Sequence, residues 1–385
     1  MRALIAVVTP LGRLIAVCSV LVWVLGALLG WVEMVLIAVT GLVTFALSCL
    51  LTIGTAAVRV QVSLSKRRVV AGGSSSCRVQ VEQAGRNRFL PYALEVPVGT
   101  GVETFDVIGK QGHDHTFPIT TERRGVIVVG PATTVRGDPL GLLRRTVVLR
   151  EPEELFVHPV TTALRSFGTG LLRDLEGRTT NDMSMSDLAF HALREYAPGD
   201  DRRYIHWRSS AKASTVDSKF LVRQFLDTRR AHFAIVVDGS PVAFPDAEDF
   251  EIAVSAGASI AVRAALDDID TTVVAAGQVA HKQGKHRLLD SFSRASFGPV
   301  ALPELTARAA GVSSGATLAI LITGAVPSFS DLRRAAAAFA PEVPKVVLRV
   351  DPSAATALKP STALTVLTLR QLSDLPALLA GGAPR

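Results

Sequence analysis

The sequence of 385 residues predicts a multi-domain protein: an N-terminal transmembrane helical hairpin, an antiparallel β-sandwich and a C-terminal α/β domain. Two long apolar runs near the N-terminus predict the hairpin. Short runs that alternate apolar and polar residues predict the sandwich, and buried strands that alternate with helical periods predict the α/β domain. The predicted boundaries are residues 1–58, 59–164, 165–229 and 230–385, where the third range is a linker with a charged segment.

The two apolar runs cover residues 14–29 and 34–58. Each approaches the roughly 20 residues that a bilayer span needs. Basic residues lie before the first run and after the second, whereas the turn between them carries only Glu33. The positive-inside rule therefore predicts two spans with both termini in the cytoplasm. A cleaved signal peptide and a buried helical hairpin are the competing interpretations. The flanking basic residues are Arg2, Arg13, Arg59, Lys66, Arg67 and Arg68.

The region after the hairpin has the pattern of an antiparallel β domain. Residues 60–64, 78–82 and 116–120 alternate apolar with polar side chains, which is the period of half-buried strands. Clusters of turn residues separate these runs. Asp138-Pro139-Leu140-Gly141-Leu142 is a corner that leads into a predicted strand at 146–149. Short strands at this spacing are typical of a sandwich or a small barrel.

Charge and cysteine content limit the function classes. The net charge of +7 suits nucleic acid or an anionic membrane surface. The three cysteines lie too far apart for a disulfide framework or a C-x-x-C metal site, so we expect a reducing compartment. His113, His115 and His158 lack the close companions of a zinc site. We therefore expect these histidines to be solvated.

The C-terminal part predicts a mostly parallel, doubly wound sheet, because strands and helices alternate. Ser330 is expected to cap the helix at 331–340, and residues 279–287 are expected to add a small hairpin. Ligands of such sheets bind at the carboxyl ends of strands, here Asp238, Thr323 and Asp351. No glycine-rich phosphate loop follows a strand and no G-x-S-x-G elbow is present, so we predict no cofactor. The predicted strands are residues 231–238, 271–276, 318–324, 345–350 and 365–370, and the other predicted helices are 249–266, 302–310 and 371–380.

Residues 193–211 are the densest stretch in charge, aromatic rings and turn residues. The turn there combines a proline that presets φ, a glycine that accepts positive φ and an aspartate. Arginines, a histidine and an indole suit recognition of an anion or a partner. The competing interpretation is a purely structural role, in which Glu195 forms an ion pair with an arginine and Trp207 fills the core. The candidate partner-binding or structural residues are Arg194, Glu195, Tyr196, Pro198, Gly199, Asp200, Arg202, Arg203, His206, Trp207 and Arg208.

Residues 194–212 closely resemble the signature of the domain-of-unknown-function 58 (DUF58) family, and we refer to them as the signature segment. Phe220-Leu221-Val222-Arg223 looks like the strand that follows this signature, and residues 123–142 look like the family's upstream β segment. The resemblance implies a membrane-anchored protein with a β-sandwich and a von Willebrand factor A-like domain. Members often occur beside MoxR-type AAA+ ATPases, which implies a role in chaperoning, assembly or the cell envelope.

Many von Willebrand factor A-like domains bind a divalent cation through a D-x-S-x-S motif after the first strand. Here the motif keeps Asp238 and Ser240 but has Val242 at the third ligand position, and Ala325 lies where a strand-end aspartate is expected. A hard cation needs several well-placed oxygen ligands. We therefore predict no metal site.

We expect a membrane-anchored, cytoplasm-facing interaction or assembly module that lacks enzymatic activity. Its expected partners are the lipid bilayer and a MoxR-type AAA+ ATPase. One alternative is an anionic-lipid or nucleic-acid binding protein, although nucleic acid is not expected because no groove-reading helix or series of stacking aromatics is evident. The other alternative is an uncharacterised hydrolase in which Glu195, Asp200 and His206 supply acid and base.

Overall fold

The chain divides into two compact units, Met1–Val160 and Thr161–Arg385. The first unit contains two apolar helices and ten β-strands among its described residues, and the second contains a β-hairpin with the signature segment and an α/β sheet. The structure is a computed structural model, and it describes residues 7–52, 58–83, 92–107, 113–167, 188–197, 202–213, 220–227, 231–359 and 364–381.

Helices α1 (Pro10–Leu29) and α2 (Val32–Thr52) form the predicted hairpin. The side chain of Thr9 caps α1, and Gly30 ends it in the left-handed region with φ 73°, a conformation that favours glycine. By length and composition both helices could cross a membrane, since their mean hydropathies are 2.2 and 2.1. Large apolar side chains point away from the hairpin and are exposed, among them Leu28, Val32, Leu36, Ile37 and Leu50.

Small residues line the contact between the two helices. Ser19 and Gly26 of α1 are buried, and a Cβ at Gly26 would lie 2.9 Å from the Cβ of Met34 on α2. Gly12 is also buried, but it packs against the Leu142 carbonyl of the β domain. Gly41 of α2 faces Ser19 so closely that a Cβ at Gly41 would lie 2.2 Å from the Ser19 hydroxyl oxygen. Small side chains allow this approach, as in packed membrane helices.

The β domain consists of two packed sheets. Strands β1, β3 and β6 form one sheet in the order β1-β3-β6, and the other sheet has the order β2-β10-β7-β4-β8-β9 with β5 paired to β4. The pairings are antiparallel except that β2 and β10 run parallel. The strands are β1 Val58–Leu64, β2 Arg68–Val70, β3 Gly73–Gln83, β4 Tyr92–Val98, β5 Gly101–Val107, β6 His113–Thr121, β7 Gly125–Val129, β8 Ala132–Gly137, β9 Arg144–Arg150 and β10 Glu153–His158.

The core of the β domain lies between the sheets and includes Cys77, Leu94 and Leu155, which are fully buried. The predicted solvation of the histidines is wrong for His158, because this side chain is 95% buried at the end of β10 (relative exposure 5%). His115 is exposed and contacts the ring of Phe105.

The second unit contains the remaining elements, and a seven-stranded sheet is its largest part. The sheet order is β15-β14-β13-β16-β17-β19-β18, in which the five central strands are parallel and the two edge strands are antiparallel. The elements are β11 Leu188–Glu195, α3 Trp207–Ala213, β12 Leu221–Asp227, β13 His232–Val237, α4 Ala247–Leu266, β14 Asp270–Ala275, β15 Gln278–His281, α5 Lys285–Arg294, α6 Leu302–Val312, β16 Leu318–Thr323, α7 Phe329–Ala336, β17 Lys345–Val350, β18 Ala357–Lys359, β19 Thr365–Leu369 and α8 Leu375–Leu379, with 3-10 turns at Arg202–Tyr204 and Leu372–Asp374.

Both faces of this sheet are covered by helices. One core includes Ile235, Phe250 and Phe292, from β13, α4 and α5. The other core includes Val236 of β13 and Leu305 of α6. Side chains of β13 thus alternate between two cores, which is why the strand is wholly buried and is apolar after His232. The two apolar helices and the mixed sheets with helices fit the predicted multi-domain layout.

Two local predictions in this unit are wrong. Ser328 caps α7 instead of Ser330, since its hydroxyl accepts the Asp331 N–H while the Asp331 side chain accepts the Ser328 N–H. The predicted hairpin at 279–287 is only strand β15, because α5 begins at Lys285 and buries an apolar stripe. The buried apolar side chains of α5 are Leu288, Leu289 and Phe292.

Candidate functional site

The signature segment connects the two strands of a hairpin. Strands β11 and β12 pair antiparallel, with Glu195 opposite Leu221 and Arg194 opposite Val222. The N–H of Tyr196 donates to the carbonyl of Phe220 over 2.8 Å, so the pairing continues past the end of β11 and ahead of the start of β12. Farther along the segment, Ile205 forms a further antiparallel bridge with Val222. Three of the predicted site residues, Pro198, Gly199 and Asp200, lie outside the described residues.

His206 and Ser210 attach helix α3 to strand β12. The Nδ1 atom of His206 accepts the N–H of Ser209 at 3.1 Å, which makes His206 the N-cap of α3. The backbone N–H of His206 donates to the Leu221 carbonyl over 2.8 Å. The buried Ser210 hydroxyl accepts the Leu221 N–H at 2.8 Å and donates to the His206 carbonyl at 3.1 Å. These bonds of His206 and Ser210 hold α3 against β12, and we refer to the two residues as the clamp.

Trp207 projects away from that clamp into solvent. Its side chain is 62% exposed, so the interpretation that it fills the core is wrong. The ring meets the ring of Phe220 edge to face, with centroids 5.7 Å apart and planes at 76°. Phe220 is itself 45% exposed. Edge-to-face pairs are a favourable aromatic geometry, and exposed aromatic rings are enriched at protein interfaces.

Basic side chains accompany the aromatic pair. Those of Arg202, Arg203, Arg208 and Lys212 are all exposed, and so is the carboxylate of Glu195. Arginine and aromatic residues are the types enriched at interaction hot spots. We use the name signature surface for Trp207, Phe220, Arg202, Arg203, Arg208 and Lys212.

A second cluster lies at the carboxyl ends of strands β13 and β16. The strand order reverses direction between these two strands, which is where open α/β sheets form their crevice. The Thr323 hydroxyl donates to Oδ2 of Asp238 over 2.7 Å, and the Ser240 N–H donates to Oδ1 over 2.9 Å. Asp238 is 1% exposed. Burial raises the pKa of Asp238 above its usual value, although both hydrogen bonds act in the opposite direction.

These strand-end residues do not fit the divalent cation that the von Willebrand factor A resemblance implies. Both carboxylate oxygens of Asp238 already accept bonds from within the protein. Val242 offers no ligand atom, and the Arg349 guanidinium donates to the Ala325 carbonyl, which brings a positive charge to this edge. A divalent cation needs free oxygen ligands and negative charge. Among the residues that the structure describes, no group of three or more His, Cys, Asp or Glu side chains could hold a metal.

The signature segment also carries the match to a known family. The model of a family described as "Protein of unknown function DUF58" matches residues 192–289. The match begins in β11, includes the signature segment and ends within α5, and it supports assignment to DUF58. No curated protein matches the chain.

Solved structures give only weak similarity. The alkylpurine DNA glycosylase AlkC of Pseudomonas fluorescens, bound to DNA with an abasic site analog, is 13% identical over 35% of this chain and 43% of the glycosylase, with a TM-score of 0.21. Cwp6 from Clostridium difficile is 9% identical over 84% of this chain and 56% of Cwp6, with a TM-score of 0.15. The chain thus spans about half the length of these proteins, and neither similarity bears on its fold or function.

Proposed function

We propose that this protein is a membrane-anchored, cytoplasm-facing interaction module that binds a partner protein through the signature surface. The exposed contact between Trp207 and Phe220 is the observation that carries the proposal. The clamp formed by His206 and Ser210 fixes the backbone beneath these rings, so little conformational entropy is lost when a partner covers them. Two large aromatic rings that are exposed to water do not stabilise a monomer. Their burial against a partner would stabilise the complex.

The N-terminal hairpin is the proposed anchor. Its outer face is apolar and its helices contact each other through small residues, as membrane helices do. Basic residues flank both ends, and the only charge near the connection between the helices is Glu33, in the first turn of the second helix. This asymmetry supports an orientation in which everything after the second helix faces the cytoplasm.

The α/β sheet is proposed to be a von Willebrand factor A-like domain that works without a cation. Five parallel strands in the observed order, with the antiparallel strand β15 at one edge and β18 at the other, support this assignment. The buried hydrogen bond from the Thr323 hydroxyl occupies Oδ2 of Asp238, an oxygen that a cation would need as a ligand. The domain is thus proposed to act as a scaffold for the signature surface.

The proposed partner is a MoxR-type AAA+ ATPase, as the family resemblance implies. Four exposed basic side chains on the signature surface favour an acidic patch on that partner. The absence of enzymatic activity is also proposed. His206 is engaged as a helix cap and Asp238 is buried against Thr323, so neither is poised as a general base in the part of the chain that the structure describes.

Site-specific photo-cross-linking in membranes of the native host tests this proposal. A benzophenone amino acid replaces Trp207 in the full-length chain, and the matched control carries it at Leu266, an exposed apolar residue at the end of α4. We expect a cross-link to an AAA+ ATPase from position 207 and none from position 266. A cross-link to lipid alone, or equal products from both positions, would overturn the proposal.

A further inference from the structure

A groove with a volume of about 680 Å³ lies along strand β1 of the β-sandwich, and β9 contributes its other wall. Among the strands that the structure describes, β1 pairs with β3 alone and β9 pairs with β8 alone. The second edge of β1 pairs with no described strand and borders the groove. The second edge of β9 is bonded at its first residue, where the Arg144 N–H donates to the Val7 carbonyl over 2.8 Å, and it borders the groove at Leu149 and Arg150. Native proteins usually protect such edges or use them for binding.

The backbone of β1 offers hydrogen-bonding groups to this groove. The N–H of Ser65 donates to the carbonyl of Ser76 over 2.9 Å, which fixes the alternation of the antiparallel ladder with β3. Every second residue of β1 therefore turns its N–H and C=O towards β3, and the residues between them turn theirs to the open edge. The groups at the open edge belong to Val60, Val62 and Leu64.

The groove carries a positive charge. The Glu153 carboxylate lies between two guanidinium groups, 3.2 Å from Arg67 and 3.7 Å from Arg150. Arg59 also lines the groove, at the opposite end of β1; Glu82 lies opposite it on β3, but the described residues include no carboxylate within 4 Å of its guanidinium. Three arginines against one glutamate favour carboxylate ligands, which arginine binds through two parallel hydrogen bonds.

We propose that this groove binds an extended acidic peptide, which adds as a strand to the edge of β1 and pairs its carboxylates with Arg59 and Arg150. The length of the groove selects this occupant. Strand β1 has seven residues, which span about 23 Å, and the arginines lie at both ends. A single lipid headgroup would contact one end only, whereas a peptide of about six residues follows the whole strand. The groove shares no residue with the signature surface, and this proposal does not depend on the proposed function.

Binding of a labelled peptide tests the proposal. The full-length protein is placed in phosphatidylcholine nanodiscs and titrated with the peptide Glu-Val-Glu-Val-Glu-Val-amide, which carries a fluorophore on its N-terminal nitrogen. We expect saturable binding that weakens at least tenfold in the double variant Arg59→Glu, Arg150→Glu. The matched control is Arg333→Glu, which reverses an exposed charge on α7 and should leave the affinity unchanged.

A second probe separates strand addition from charge attraction. Methylation of alternate amide nitrogens keeps the charges of the peptide but removes its strand hydrogen bonds, so we expect binding to be lost. Equal binding of the methylated peptide, equal binding to the double variant, or no saturable binding would each overturn the proposal. Displacement of the peptide by glycerophosphoserine at the concentrations at which unlabelled peptide displaces it would also overturn it, in favour of a lipid headgroup site.

Discussion

The hydroxyl of Ser48 donates a hydrogen bond of 3.1 Å to Oδ2 of Asp138, and this bond joins the second apolar helix to a turn of the β-sandwich. Asp138 also accepts the N–H groups of Leu140 at 3.0 Å and Leu143 at 2.6 Å. The first helix reaches the same turn, because the Thr9 N–H donates to the Leu142 carbonyl over 3.0 Å. The turn at residues 138–143 thus attaches the β domain to both helices.

Replacement of Asp138 by alanine should loosen this attachment. Three donors, two of them in buried hydrogen bonds, would lose a charged acceptor, so we expect a loss of about 2 to 3 kcal/mol in the free energy of unfolding. Denaturant unfolding of the full-length protein in detergent measures this change in the free energy of unfolding. The control Thr44→Ala removes a hydroxyl that bonds only within its own helix, to the Thr40 carbonyl, and should change stability by less than about 1 kcal/mol. Equal losses in the two variants would contradict the role of this turn.

Asp138 should also contribute to acid sensitivity. Burial alone would raise its pKa, but the bonds from the Leu143 N–H, the Ser48 hydroxyl and the Leu140 N–H outweigh burial, and the pKa lies below its usual value. A depressed folded-state pKa gives stability that is present above the unfolded pKa of about 4 and is lost as the pH falls through the folded pKa. In Asp138→Asn, the free energy of unfolding should therefore fall less steeply below pH of about 4. An unchanged acid slope would exclude this contribution.

Ser210 should stabilise the clamp under the signature surface. In Ser210→Ala the Leu221 N–H loses its buried acceptor, so we expect a loss of about 1 to 2 kcal/mol and faster amide exchange in β12. Ser209→Ala is the matched control, because the bonds described between α3 and β12 do not use its hydroxyl. Hydrogen exchange followed by mass spectrometry measures both variants. Unchanged exchange of the Leu221 amide in Ser210→Ala would contradict the clamp.

Asp238→Asn should be tolerated at neutral pH. Burial raises the pKa of Asp238 in the folded protein, so the charged carboxylate opposes folding. The free energy of unfolding therefore rises as the pH falls from the pKa of the folded state towards the pKa of the unfolded state. The neutral amide avoids this cost, and we expect the melting temperature at pH 7 to stay equal or to rise. Millimolar Mg²⁺ should leave both proteins unchanged. A melting temperature that Mg²⁺ raises in the wild type, but not in the variant, would reveal a cation site.

Cys77 should resist thiol reagents in the folded protein. It is fully buried in the sandwich core, and burial together with the negative charge of Glu153 raises the pKa of its thiol to about 11. The thiolate is the reactive form, so little of it is present at pH 8. Mass spectrometry should find Cys77 unmodified by iodoacetamide until urea is added. Rapid modification without urea would show that the core opens.

Much of the fold follows from sequence because its elements are long or continuously apolar. The hairpin and the buried strands β13 and β16 come from long apolar runs, which tertiary context does not alter. Strand β4 is not evident because Pro97 lies inside it, and proline is rare within strands. The short helix α5 is missed since a turn of about three residues separates it from β15.

The candidate site is only partly evident from sequence. Residue types mark the signature segment, yet they do not tell whether Trp207 is buried or exposed, because that depends on how α3 docks on β12. Phe220 is missed as a site residue, since it becomes part of the surface only when the hairpin brings it to Trp207. A bulky aromatic just before a strand would have been the only local signal.

Recovery of the partner from membranes tests the central claim most directly. The full-length wild type, the double variant Trp207→Ala, Phe220→Ala and the control Leu266→Ala are purified from the native host under identical conditions, after unfolding measurements confirm that all three are folded. We expect the wild type and the control to retain an AAA+ ATPase, and the double variant to lose at least nine-tenths of it. Equal recovery with all three proteins would contradict binding through the signature surface.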